Sequence, residues 1–492
     1  MLRTDPEVNL SARFDAFPYQ LDAVEAVKDL EYAALFHEQG LGKTKIAVDL
    51  LLYWLTEGSL DTVLVITKRA LVENWRQEFE THTHINPSIL NQDRKHNFFV
   101  LNSPARVILG HFEMVRSEHQ RLEMFLQTRR VGVILDEAQK IKNPSAALSK
   151  AFHDLRHGFR RRVIMTGTPI ANRPEDIWSQ IFFLDGGDAL GEDFEAFKTN
   201  LSLDNELYQN VERQKVFADA LGSVFNKLRA FSVRETKSST GIELPDKIVR
   251  TVSTYMSPHQ AKLYDTYREE ARAEVMQDGA LTEDDAEAVL KRLLRLVQVT
   301  SNPGLVDDGY REEPGKLVEL MRLVKEATED GSKVIVWTSF VQNAEWLCQR
   351  LSEFGAVRVH GELPIDVRNR AIDEFKNKEG VSILVATPGA AKEGLTLTVA
   401  NHAIYYDRTF SLDDYLQSQD RIHRISQTRD CYIWNLICED TIDAWVDSLL
   451  RAKRLAAQLL QSDLTQEEYE RDADYDFGRA VAEILNPAEN TE

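Results

Sequence analysis

The sequence predicts an α/β protein of two lobes, each an open parallel sheet covered by helices. Three observations carry that prediction. Short β-branched runs alternate with helical patterns in the first half of the chain, the second half repeats the pattern without repeating the sequence, and an extended, proline-bearing stretch separates them.

In the first half VLVIT (63–67), ARVIL (105–109), VGVILD (131–136) and RRVIMTG (161–167) read as buried strands. Continuous apolar runs of this length suit a sheet covered on both faces. Between them, KTKIAVDLLLYWL and RALVENWRQEFETH carry helical periodicity. In the second half GSKVIVWTSF (331–340), GAVRVHG (355–361), VSILVAT (381–387) and NHAIYYD (401–407) alternate with VQNAEWLCQRLSEF and LPIDVRNRAIDEF. The stretch IELPDKIVRTVSTYMS puts the boundary near residue 240, giving lobe 1 as 1–240 and lobe 2 as 241–460. Lobe 2 carries an acidic helical insert near 262–290, and an acidic tail, 461–492, follows. Two such lobes joined by a crossing linker create a cleft.

The 492 residues hold 79 acidic and 59 basic side chains, a net charge of −20, with 43% hydrophobic residues. That composition excludes a disordered or low-complexity chain and leaves apolar material for more than one core. Cys348, Cys431 and Cys438 cannot build a disulfide framework or a four-thiolate zinc site. MLRTDPEVNL lacks the apolar core of a signal peptide, and no later run is long enough to span a bilayer, so no membrane association is expected. The negative total weighs against a protein that coats nucleic acid with general positive charge, yet leaves room for a narrow basic track. The tail alone holds ten acids and two arginines. It reads as a solvated face, or as a guard that repels DNA or contacts a protein partner.

The sharpest local signal is HEQGLGKTKIAVDLL, directly after AALF (33–36). A strand, a glycine loop and a helix starting near Lys43 make a concavity of backbone N–H groups at a positive helix terminus. Gly40, Leu41 and Gly42 line the loop, Lys43 supplies an ammonium for the β/γ phosphates of ATP, and Thr44 offers a hydroxyl to Mg²⁺. His37 stands where the usual phosphate-loop pattern has its first glycine. VGVILDEAQ then places two acids at the mouth of a parallel strand, where such sheets bind ligands. Asp136 suits the magnesium shell, and Glu137 the deprotonation of an attacking water. Taken singly, a glycine turn and an acid pair that merely cap helices remain alternatives. Arg421 and Arg424 in SQDRIHRIS lie three apart on one expected helical face, and a guanidinium there reaches the γ-phosphate only when the cleft closes. With Gln417 they complete the catalytic set, while His423 is expected to pack or hydrogen-bond within the helix.

The motifs resemble, in order, those of helicase superfamily 2, and within it the Swi/Snf-type DNA translocases. Phe17, Pro18, Tyr19 and Gln20 resemble the adenine-reading glutamine element. HEQGLGKT resembles DEMGLGKT, and TKRALVENWRQEF matches PLSLLxNWxxE at Leu71, Asn74 and Trp75. DEAQKIKN (136–143) resembles DEAH followed by KN, with Gln139 where histidine is commoner, and MTGTPIANRPEDIW (165–178) is close to LTGTPLQNxxxELW. FSVRETK leading into LPDK, ATPGAAKEGLTLTVANHAIYYD and LQSQDRIHRISQ resemble the later motifs. The resemblance runs from about residue 12 to about 455 and implies two RecA-like lobes that close on ATP and step along one strand of duplex DNA. It implies a stripped motor core, as in bacterial or phage members, that is cytoplasmic or nucleoid-associated, or inside the host cell if phage-encoded.

A duplex held by one strand needs donors that position its backbone, not base readers. Polar positions at strand ends supply them: Thr67, Lys68 and Trp75, then His111, in lobe 1, and Thr338, Ser339, Thr387 and Lys392 in lobe 2. The expectation is a monomeric Mg-ATP-driven translocase on double-stranded DNA. A strand-separating DNA or RNA helicase, and a catalytically silent nucleic-acid-binding scaffold, are the competing readings.

Overall fold

The β-branched runs form two separate parallel sheets. The computed structural model describes residues 8–170, 173–203, 207, 210–241, 244–277, 280–281, 286–390, 396–408, 410–424, 426–461, 463–473, 479, 483 and 485. Lys392 and most of the acidic tail lie outside the described residues. The first sheet comprises β1 (Tyr32–Leu35), β2 (Thr62–Thr67), β3 (Ser88–Ile89), β4 (Val107–His111), β5 (Val131–Asp136), β6 (Phe159–Met165) and β7 (Ser232–Val233), in the order β3-β4-β2-β5-β6-β1-β7. The second takes β8 (Lys247–Thr254), β9 (Lys333–Trp337), β10 (Ala356–Val359), β11 (Ile383–Ala386), β12 (Ala400–Tyr405) and β13 (Cys431–Cys438), in the order β10-β11-β9-β12-β13-β8.

Most strand interiors are wholly buried, as continuous apolar runs demand. Leu35, Val63, Val65 and Ile134 pack with Trp54 and Phe79 from the helices Lys43–Thr56 and Val72–His82. In the second sheet, Ile335, Trp337 and Tyr405 face one core, while Val334, Val336 and Ile404 face another. Two strands depart from the sequence expectation. The stretch expected to be linker pairs in register with β13, from Lys247 against Cys431 to Thr254 against Cys438. It is the sheet edge, and most of its residues keep solvent exposure, so it lacks the apolar run of a central strand.

The chain divides into two compact units, with the main break just after Gly241. The first unit also takes in the segment Ala457–Thr465, far along the chain. Within that unit the Arg234 guanidinium bonds both Asp463 oxygens, Nε–Oδ1 at 2.7 Å and Nη2–Oδ2 at 2.5 Å, and donates to the Phe36 carbonyl at 2.5 Å. The end of the helix Ile442–Leu460 is thereby held against the exit of β1.

In the second unit a buried ion pair fixes the start of that same helix. Lys316, with no exposed surface, lies 2.6 Å from Asp443, which also accepts from Thr300 Oγ1 at 3.0 Å and from the Cys438 amide at 2.9 Å. Removing one member leaves the other charge buried and uncompensated. Lys316→Ala is therefore expected to lower the unfolding free energy by about 3 kcal/mol, read from the urea midpoint at neutral pH.

Candidate active site

The glycine loop sits at the C-terminal edge of the first sheet, between β1 and the helix Lys43–Thr56. Gly40 (φ 89°) and Gly42 (φ 71°) occupy the left-handed region, and a Cβ at Gly42 would collide with the Gln20 amide. Lys43 Nζ donates back to the loop, to the His37 carbonyl at 2.7 Å and the Glu38 carbonyl at 3.3 Å. His37 is fully buried, and burial together with the Lys43 charge pushes its pKa down to about 4, so a neutral ring stands behind the loop. Gln20 is buried against the same loop. Its Nε2 donates to the Leu41 carbonyl at 3.2 Å, and its Oε1 accepts the Phe17 amide at 3.0 Å.

Across the sheet edge, β5 delivers Asp136 and Glu137. Burial, reinforced by Glu137, pushes the Asp136 carboxyl up to about 6, while Trp75, Thr67 and Lys43 oppose the shift. Its Oδ2 accepts from Trp75 Nε1 at 2.8 Å and from Thr67 Oγ1 at 3.0 Å. Glu137 has φ 60° and ψ 47°, a left-handed backbone that costs a non-glycine residue on the order of 1 kcal/mol. Burial pushes its carboxyl up, but Lys68, Lys43 and Gln139 outweigh that, and the group sits below its ordinary value. Lys68 Nζ lies 2.8 Å and Gln139 Nε2 2.5 Å from Glu137 Oε2. The Lys43 charge thus acts on both carboxylates, and the loop lysine and the acid pair converge.

Residues 19–305 match the SNF2-related domain, more than half of the chain. The chain belongs to the SNF2-related family. Residues 315–426 match the helicase conserved C-terminal domain. Similar proteins include an uncharacterized ATP-dependent helicase of Mycoplasma genitalium, 26% identical over 89% of this chain and 41% of that protein. The chromodomain-helicase-DNA-binding protein 1-like of Danio rerio is 29% identical over 92% of this chain and 44% of its own length. The putative ATP-dependent helicase/translocase YwqA of Bacillus subtilis is 27% identical, covering 88% and 47%. The chain spans less than half the length of these relatives. Among solved structures, the Sulfolobus solfataricus SWI2/SNF2 ATPase core in complex with dsDNA has 25% identity and a TM-score of 0.43, over 94% of this chain and 98% of that one.

Several strand-end residues expected to grip DNA do other work in this SNF2-related chain. Thr67 is fully buried and Trp75 2% exposed, with their polar hydrogens spent on Asp136. Thr338, also fully buried, donates to Asp407 at 2.6 Å, and the Ser339 amide donates to the other oxygen at 2.6 Å. Asp407 accepts as well from Ser301 Oγ at 2.7 Å and Asn343 Nδ2 at 3.2 Å. Thr387 is buried at the end of β11. His111 Nδ1 faces Glu113 at 2.9 Å, and Lys68 is partly exposed beside Glu137. The sequence reading missed Asp407, although NHAIYYD ends in an acid just as VGVILD does.

The arginines are not on a helical face either. The helix Leu412–Gln419 stops before them, and Arg421 and Arg424 lie in the turns that follow. The Arg421 carbonyl accepts from the Leu397 amide at 2.9 Å, which diverts the chain from helical bonding. Arg424 donates to the Asp420 carbonyl at 2.7 Å and to Thr396 Oγ1 at 2.9 Å, and burial pulls its guanidinium below the ordinary value. Gln417 donates to Asp413 at 2.5 Å, and His423 is tied to the Pro245 carbonyl at 2.9 Å.

Glu175, in the segment after MTGTP, is 4% exposed, and burial raises its pKa from 4.5 to about 7. The folded chain therefore binds this proton more tightly than the unfolded chain. The resulting stability is fully present below about 4.5 and is lost as pH rises through about 7. Glu175→Gln removes the titration, so its thermal midpoint should exceed that of wild type at pH 8.5 and converge with it at pH 5. The difference corresponds to on the order of 3 kcal/mol.

Proposed function

We propose that this chain is a DNA-dependent ATPase that couples Mg-ATP hydrolysis to movement along double-stranded DNA, held through its backbone without sequence specificity. The observation that carries the reading is the placement of the Gly40–Lys43 loop, after β1, and of Asp136 and Glu137, at the end of β5, at the C-terminal edge of one parallel sheet. Family membership supplies the nucleic-acid side.

In this mechanism Lys43 exchanges its bonds to the His37 and Glu38 carbonyls for the β/γ phosphate oxygens. The amides of the Gly40–Gly42 loop cradle the phosphates, and Gln20, packed on that loop, reads the adenine edge. The Thr44 hydroxyl and the Asp136 carboxylate are hard oxygen donors, and Asp136 is a buried acid whose ionised form a cation favours, so the pair fits Mg²⁺. When bound, the ion neutralises charge on the phosphate oxygens. Thr67 and Trp75 orient Asp136. Glu137 accepts the proton of the water that attacks the γ-phosphorus as the bond to the bridging oxygen breaks. Arg421 and Arg424, carried by the second lobe, neutralise the transferring oxygens once nucleotide and duplex are bound, and Gln417 positions that arm.

ATP turnover measured with duplex DNA, single strands and RNA tests the reading. Stimulation by duplex without strand separation is the expected result, whereas stimulation mainly by single strands or RNA makes the strand-separating helicase the better account. Lys43→Ala should retain less than about a tenth of wild-type turnover. Glu137→Gln should bind ATP with near wild-type affinity, followed by titration calorimetry, yet hydrolyse it very slowly. Arg424→Ala should bind duplex without nucleotide and lose about 10³-fold of the stimulated rate. Full stimulation in that variant removes Arg424 from the site.

A further inference from the structure

We propose that Lys68 is a DNA-sensitive latch on Glu137: its ammonium holds the base idle until a duplex phosphate draws it away. The proposal rests on the ATPase reading above and adds the means by which DNA accelerates hydrolysis.

One carboxylate oxygen carries the argument. Glu137 Oε2 accepts from Lys68 Nζ at 2.8 Å and from Gln139 Nε2 at 2.5 Å. Glu137 reaches them from a left-handed backbone, at φ 60°. An oxygen engaged by an ammonium and an amide is a poor acceptor for a third hydrogen, that of a water. The base is present but occupied.

What can release it is set by where Lys68 sits. It follows β2, which lies between β4 and β5, so its neighbours on the same sheet edge are His111, ending β4, and Lys140, just past β5. Lys140 and His111 share Glu113, at 3.6 and 2.9 Å. Arg69, next along the chain, is exposed. Lys68, Arg69 and Lys140 give this edge basic side chains, which suit a polyanionic backbone. The Lys68 and Glu137 side chains keep 25% and 19% exposure, so a phosphate from solvent can reach the ammonium. A pair open to solvent on one side is weak enough to exchange. Transfer of the ammonium to a phosphate leaves Glu137 with an oxygen free for water, and no covalent bond changes.

The test compares wild type, Lys68→Met, Lys68→Arg and Gln139→Ala in ATP turnover without DNA and with a saturating duplex of about 40 base pairs at fixed salt, alongside duplex affinity. In Lys68→Met, DNA-free kcat should rise about fivefold with unchanged KM for ATP, the stimulation ratio should fall by a similar factor, and duplex binding should weaken. A lesion that merely damaged the site would lower turnover, so a rise separates the latch from a structural role. Lys68→Arg, which keeps a cation at the carboxylate, should restore the low DNA-free rate. Gln139→Ala should raise DNA-free turnover without weakening duplex binding. If Lys68→Met turns over no faster than wild type without DNA, the latch is overturned while the ATPase reading stands. If neither duplex nor any other nucleic acid stimulates wild type, the DNA reading falls and the latch falls with it.

Discussion

Much of the arrangement depends on keeping a carboxylate charged at the end of a buried strand. A parallel sheet covered on both faces excludes water along its length, so an acid at its mouth is pushed toward the neutral form. Asp136 meets that cost with two neutral donors, Thr67 from the neighbouring strand and Trp75 from the following helix. In the second lobe Thr338, Ser301 and Asn343 donate to Asp407 in a similar arrangement. In both lobes the threonine and the aspartate lie at or just past the ends of neighbouring strands, 69 residues apart.

How much of this was legible in the sequence follows from the same physics. Central strands such as VLVIT and VGVILD announce themselves because burial on both faces forbids polar interruptions. The edge strand Lys247–Thr254 tolerates them and reads as linker, and CYIWNLIC, with its alternating partly exposed positions, goes unnoticed. The placement of Lys43, Asp136 and Glu137 is legible because it follows local order: loop, lysine, strand, acid. Thr67 and Trp75 are not, since a hydroxyl or an indole at a strand end looks the same whether it faces phosphate or a carboxylate more than 60 residues away. The spacing of Arg421 and Arg424 fits a helix, but a spacing cannot disclose that the Leu397 amide takes the Arg421 carbonyl.

The phosphate loop shows how a substitution is absorbed. With His37 at the loop's entrance, the ring is buried and kept neutral by burial and by Lys43, so it sets no second positive charge beside the ammonium. The loop's own carbonyls hold the lysine instead.

The bidentate pair between Arg234 and Asp463 bears on how the molecule is made. The ribosome releases the whole first sheet more than 200 residues before Asp463 emerges, so the partner of Arg234, and the segment Ala457–Thr465 that packs with the first unit, arrive long after that sheet. Until then the exit of β1, whose Phe36 carbonyl is bonded by the same guanidinium, lacks its last fastening. The nascent first unit thus waits for this contact on a distant stretch of its own chain, which follows the second sheet.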